Sequence, residues 1–194
     1  MTRAKKEAKV FIAGSRHLSK LNQEVKRRID NIVSKHLTVM IGDANGVDKA
    51  VQQYLGAKGY ANVIVFCMDG ICRNNVGNWA TQEIKAANSR RRDFAYYSTK
   101  DRAMAKEADY GFMLWDGESR GTLTSIVQLV REAKPVVVFL APDKAFYTLR
   151  DSTDFAKVPL RVGDADFDRI DRDLQSAISD RPASRKQALS LPLF

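Results

Sequence analysis

Three short, polar, glycine-bearing segments hold the residues best suited to chemistry. They are Gly14-Ser15-Arg16, Gly42-Asp43-Ala44-Asn45-Gly46-Val47-Asp48 and Asp116-Gly117-Glu118-Ser119-Arg120-Gly121-Thr122. Glycine lets a backbone approach a ligand closely and adopt positive φ. Hydroxyls at Ser15, Ser119 and Thr122 can donate hydrogen bonds, and Arg16 and Arg120 can meet an anion with a planar fork. Where such a turn opens a helix, unpaired N–H groups and the helix dipole favour a phosphate. The carboxylates Asp43, Asp48, Asp116 and Glu118 fall in the same segments. They suit general acid or base work, as in cleavage of an N-glycosidic bond, whose oxocarbenium-like state a carboxylate stabilises. They equally suit ribose-hydroxyl ligands and helix caps, and residue types alone leave these roles open. Neither G-x-G-x-x-G nor G-x-x-x-x-G-K-[ST] is present, so the usual dinucleotide and Walker fingerprints do not apply.

Positioning these turns together requires a sheet. Apolar runs at Val10–Ala13, Leu37–Ile41, Val63–Phe66, Tyr110–Trp115 and Val136–Leu140 read as strands buried on both faces, the habit of parallel sheets covered by helices. Between them, Leu21, Val25, Ile29, Ile32 and Val33 recur at helical spacing, as do Val47, Val51, Tyr54 and Leu55, and Ile126, Leu129 and Val130. The alternation predicts an α/β, Rossmann-like, doubly wound and mainly parallel sheet of about five or more strands, with helices on both faces. Ligands of such sheets bind at the carboxyl ends of the strands, where the three turns fall. Met68 to Asn78 reads as a long loop, Trp79 to Ala108 as a base-rich helical stretch, and Asp143 to Gly163 as irregular. Ile170, Leu174 and Ile178 predict a short C-terminal helix. The expected organisation is a basic tail over 1–8, a nucleotide-binding domain over 9–142, an extension over 143–180 and a flexible tail over 181–194.

The segments Val10–Arg16, Gly42–Asp48 and Trp115–Thr122, followed by Lys134-Pro135-Val136, resemble the SLOG superfamily, which includes LOG phosphoribohydrolases and DprA-like proteins. The likeness is strongest to its small stand-alone YspA/YpsA-like Rossmannoid branch and covers roughly residues 9–140. The resemblance implies a domain that binds nucleotides or nucleotide derivatives such as ADP-ribose-like molecules. Gly14, Ser15 and Arg16 would flank the ligand, Gly42, Asp43, Gly46 and Asp48 would form a second wall, and Ser119, Arg120, Gly121 and Thr122 would hold phosphate. LOG enzymes carry Pro-Gly-Gly-x-Gly-Thr-x-x-Glu, whose Glu serves hydrolysis. Here Ser125 stands at that position and the Pro-Gly-Gly half is replaced by Gly117–Arg120. The expectation is therefore a sensor or sequestering module for a nucleotide-like small molecule. The alternatives are an N-glycosidase using another carboxylate, and a DNA-associated, DprA-like accessory protein. No cofactor is implied.

Composition frames these readings. The chain has 194 residues, 32 Lys+Arg against 23 Asp+Glu and a formal net charge of +9. The basic excess is compatible with a polyanionic partner. No apolar run approaches the ~20 residues of a membrane span, so no membrane partner is expected. Cys67 and Cys72 are too few for a disulfide framework, and a cytoplasmic setting is the expectation. With only His17 and His36 as further soft ligands, no metal site is expected. Asp164-x-Asp166-x-Asp168 lacks the glycine and terminal Glu of a calcium loop and reads as a solvated helix start. Arg90-Arg91-Arg92 with Phe94, Tyr96 and Tyr97 suits single-stranded nucleic acid, a solvated helix face over core aromatics, or an arginine reaching into the nucleotide site. The apolar tail Leu189-Ser190-Leu191-Pro192-Leu193 is similar to part of a sliding-clamp-binding peptide, with Ala188 where that peptide has Gln. The plainer alternative is that it covers the protein's own surface or a second copy in a homo-oligomer.

Overall fold

The computed structural model describes residues 7–85 and 94–159, with backbone alone at 94 and 95. Its strands are β1 (Lys9–Gly14), β2 (Thr38–Ile41), β3 (Val63–Met68), β4 (Ala80–Ile84), β5 (Tyr110–Trp115), β6 (Val136–Leu140) and β7 (Ala145–Leu149). Its helices are α1 (Gln23–Ser34), α2 (Val47–Ala57), α3 (Phe94–Glu107) and α4 (Arg120–Arg131), followed by a 3₁₀ turn over Ser152–Lys157.

The seven strands form one sheet in the order β4-β3-β2-β1-β5-β6-β7, parallel throughout except for β7 against β6. Alternation along each strand sends side chains to two cores. Val10 and Ile12 of β1 join Val25, Ile29 and Ile32 of α1 and Val47, Val51 and Leu55 of α2 on one face. Phe11 joins Met104 of α3 and Leu123, Ile126 and Leu129 of α4 on the other. The expected doubly wound arrangement with both faces covered is therefore present. α1 begins where Asn22 accepts the Val25 amide at 2.8 Å, and its apolar residues fall four and three apart so that one stripe is buried.

Two elements differ from the sequence expectation. Ala80–Ile84, expected to be helical, is instead a strand pairing with β3 from Ile64↔Ala80 to Met68↔Ile84. It lies at the edge of the sheet with Ala80, Thr81 and Glu83 exposed, so it lacks the apolar run that marks the central strands. Likewise, Ala145–Leu149 falls in the stretch expected to be irregular. It folds back antiparallel on β6, and Phe146 packs 5.0 Å from Phe139, ring centre to ring centre. The sheet thus continues beyond Pro142 through a tight turn in which Lys144 has φ of 50°.

Cys67 and Cys72 are joined as a single disulfide, a local link across one turn and not a framework. The Met68↔Ile71 bridge closes a tight turn between them and brings their Cα atoms to 5.0 Å, inside the span a disulfide bridges. The Arg90–Arg92 run, the Asp164–Asp168 pattern, the expected C-terminal helix and the apolar tail all lie outside the described residues. Among the described residues, no helix is long and apolar enough to cross a membrane.

Candidate functional site

The chain moves from β1 outward to β4 on one side, then returns to lay β5 on the other side of β1. The crevice at this reversal, above the carboxyl ends of β1 and β5, is where open α/β sheets place ligands. A cavity of about 590 Å³ opens there. Its size falls within the ordinary range for small-molecule sites.

The three glycine-bearing turns meet at this crevice. Gly14, Arg16, Asp48, Asp116, Glu118, Ser119, Arg120, Gly121 and Thr122 all line the cavity. Ser15, Gly42, Asp43 and Gly46 do not line it but stand directly behind its wall. Ser15 is fully buried, and its hydroxyl donates to the Asp116 carboxylate, tying the β1 turn to the β5 turn. Gly46 has φ of +81°, and a Cβ there would sit 2.5 Å from the Cα of Arg16. Gly42 leaves the space that the Asp48 carboxylate and the Lys100 ammonium occupy.

The start of α4 forms one part of the wall. Asp116 accepts the amides of Glu118 at 3.1 Å and Ser119 at 2.7 Å, which fixes the turn. Ser119 occupies the N-cap position, yet its side chain caps no amide and instead accepts the Thr122 hydroxyl at 3.1 Å. The amides of Gly121 and Thr122 are consequently left without a partner among the described residues. Ser125, at the position of the LOG glutamate, also lines the cavity, with its hydroxyl donating to the Gly121 carbonyl at 3.2 Å.

Carboxylates around the cavity differ sharply in environment. Burial alone opposes the charge on Asp43. The Arg73 guanidinium and amide, with the Lys100 ammonium at 2.7 Å, outweigh it and hold the carboxyl well below its usual range. Asp43 is thus committed to internal partners. Asp48 is the reverse case. Burial pushes it up to about 6 with help from the Asp101 and Asp43 charges, against the pull of Lys100 and a 3.1 Å hydrogen bond from the Ala44 amide. Asp101 is also raised, first by burial and then by Asp43, with Lys100, Arg16 and Arg73 opposing. Asp116 lies low because the Ser15 hydroxyl and two turn amides outweigh its burial.

Several wall residues were not assigned to this site by sequence reasoning. Arg73 comes from the loop after β3, while Tyr97, Lys100 and Asp101 come from α3. The Arg16 and Arg73 guanidinium carbons lie 5.3 and 4.7 Å from the Tyr97 ring centre, within cation–π range. Lys100 is only 3% exposed, a rare state for lysine that its ion pair with Asp43 makes tolerable. Tyr96, one residue before Tyr97, is buried and donates to Asp69 at 2.6 Å. The available sequence signal was the spacing of Tyr97 and Asp101, four apart and hence on one helix face.

No family model matches the chain, and no curated protein matches it. Among solved structures, the chain is similar to DNA processing protein A from Helicobacter pylori, whose single-stranded DNA binding has been described. The two share 18% identity with a TM-score of 0.54, over 87% of this chain and 81% of that one. What they share is the fold.

Proposed function

We propose that this protein binds a phosphorylated nucleotide or nucleotide-sugar derivative at the carboxyl ends of its parallel strands, as a sensing or sequestering module. One observation carries the reading: the uncapped start of α4, with the Gly121 and Thr122 amides open beside Arg120 on a cavity of nucleotide size. A helix start of this kind binds phosphate through its amides and dipole. Arg16 and Arg120 line the same wall and add charge-assisted bonds. Asp48 is the carboxylate assigned to a ribose hydroxyl, since Asp43 is committed to Arg73 and Lys100. The test is calorimetric titration with nucleoside monophosphates. Gly121→Asp and Arg120→Glu each abolish binding while leaving the unfolding transition in place. Unchanged affinity in both variants would overturn the reading.

Two further uses of the fold have observations in their favour. Turnover of an N-glycosidic bond is favoured by Asp48, a wall carboxyl titrating near 6 and so poised for proton transfer close to neutral pH. It predicts release of free base that Asp48→Asn stops. Association with single-stranded DNA is favoured by the likeness to DNA processing protein A and by the net charge of +9. It predicts retention on single strands that falls steeply with salt.

A further inference from the structure

The wall of the cavity facing α4 is built by α3, and it offers a different chemistry from the phosphate end. Tyr97 and Asp101 are one helical turn apart and both line the cavity, so ring and carboxylate stand side by side on one face. Asp101 is half-buried and has no hydrogen-bond partner among the described residues. The other aspartates around the cavity, Asp43, Asp48 and Asp116, all accept internal hydrogen bonds. Two guanidinium groups lie over the Tyr97 ring: Arg73 at 4.7 Å, fixed by its hydrogen bonds to Asp43, and Arg16 at 5.3 Å, which is exposed and so is the one a base can displace.

We propose that this wall selects guanine: the base stacks on Tyr97, and its N1–H and exocyclic N2–H both donate to the Asp101 carboxylate. This deepens the nucleotide reading of the same cavity and rests on it. A desolvated carboxylate needs donors, and guanine presents two adjacent ones at the spacing of the two carboxylate oxygens. Adenine offers one donor and one lone pair on the corresponding edge, so one carboxylate oxygen would face a lone pair. Burial raises the Asp101 pKa against the pull of Lys100, Arg16 and Arg73, and two donors from the base would join those cations in favouring the ionised form that accepts both. Stacking on an aromatic face accepts any base, so discrimination falls to Asp101.

The full chain is titrated with GMP, IMP, AMP and XMP, and with inorganic phosphate. GMP binds at least about tenfold more tightly than AMP, in line with what a bidentate base contact discriminates. IMP, which keeps N1–H and lacks the amino group, falls between them. In Asp101→Asn the preference for GMP over AMP is lost and XMP gains, because an amide matches the N1–H and carbonyl of xanthine. Inorganic phosphate still binds that variant, which shows that the cavity remains formed. Equal GMP and AMP affinities in the unaltered protein, with phosphate bound, would overturn the guanine assignment and leave the nucleotide reading standing. Failure of phosphate and every nucleotide to bind would overturn both.

Discussion

Asp48 and Asp43 show how position alone sets what a carboxylate can do. Both are buried, Asp43 in the turn after β2 and Asp48 in the first turn of α2 that follows it. Asp43 meets a guanidinium fork and an ammonium and stays charged. Asp48 is desolvated first of all, and the Asp101 and Asp43 charges add to that against Lys100 and one amide hydrogen bond, so its neutral form gains. The consequence for stability has a definite sign. A carboxyl whose folded pKa is raised from 3.8 to about 6 keeps its proton longer in the folded state. Its contribution is fully present below pH 3.8 and is lost as pH rises through about 6. The lowered pKa of Asp43 works oppositely, giving stability above pH 3.8 that is lost in acid. Asp48→Asn fixes the neutral form. In urea unfolding, this variant should match the parent near pH 4 and exceed it at pH 8 by up to about 3 kcal/mol, one pKa unit being worth about 1.4 kcal/mol. A stability difference that stays constant from pH 4 to pH 8 would contradict this account of Asp48.

The turns that carry the site hold one another in place. Gln52 of α2 donates to the Gly42 carbonyl at 2.9 Å and accepts the Val76 amide at 2.9 Å, while Asn74 donates to the Asp43 carbonyl at 2.8 Å. The loop after β3 is thereby tied to the turn after β2, and Arg73 is delivered to the wall. Gly46 ties that turn to the β1 turn by close backbone approach, and it has φ of +81°. Gly46→Ala should lower stability by about 1–3 kcal/mol from backbone strain alone. It should also weaken phosphate binding, because the methyl displaces Arg16. Gly59 is the matched control, with φ of +63° and open space where its Cβ would be. Gly59→Ala should show strain without loss of binding. Equal binding in the two variants would mean that the packing against Arg16 does not matter. The central strands and glycine turns could be read in the sequence because their signals are local: unbroken apolar runs, and small polar residues directly after them. β4 and β7 escaped because edge strands are only partly buried, and Ala80-Thr81-Gln82-Glu83-Ile84 carries no run to see. Lys100 and Asp101 escaped because only the packing of α3 brings them to the cavity, and Arg73 because only the ties of its loop to the turn after β2 deliver it.

Across the whole molecule, the question is how a chain of net charge +9 uses its excess. The cavity draws in four basic side chains, Arg16, Arg73, Lys100 and Arg120, and sets four carboxylates among them: Asp48, Asp101, Asp116 and Glu118. Such a balanced wall suits a compact ligand with one anionic end and hydrogen-bonding groups beyond it. A polyanion is served by a continuous basic track instead. Salt dependence separates the two uses because it reports the number of phosphates neutralised. A mononucleotide seated on α4 engages about one phosphate, so its affinity should fall only about threefold between 50 and 200 mM salt. A strand held by 6–10 phosphate contacts would lose about 10³- to 10⁵-fold over the same range. GMP and a short single strand should therefore be titrated in parallel on the full chain and on Arg120→Glu. A shallow slope for GMP, abolished by Arg120→Glu, is the expected result. A steep slope for the strand that survives Arg120→Glu would place DNA on a surface separate from the cavity. If GMP and the strand shared one steep slope and one sensitivity to Arg120→Glu, the helix-end site would be a strand site, and the mononucleotide reading would fall.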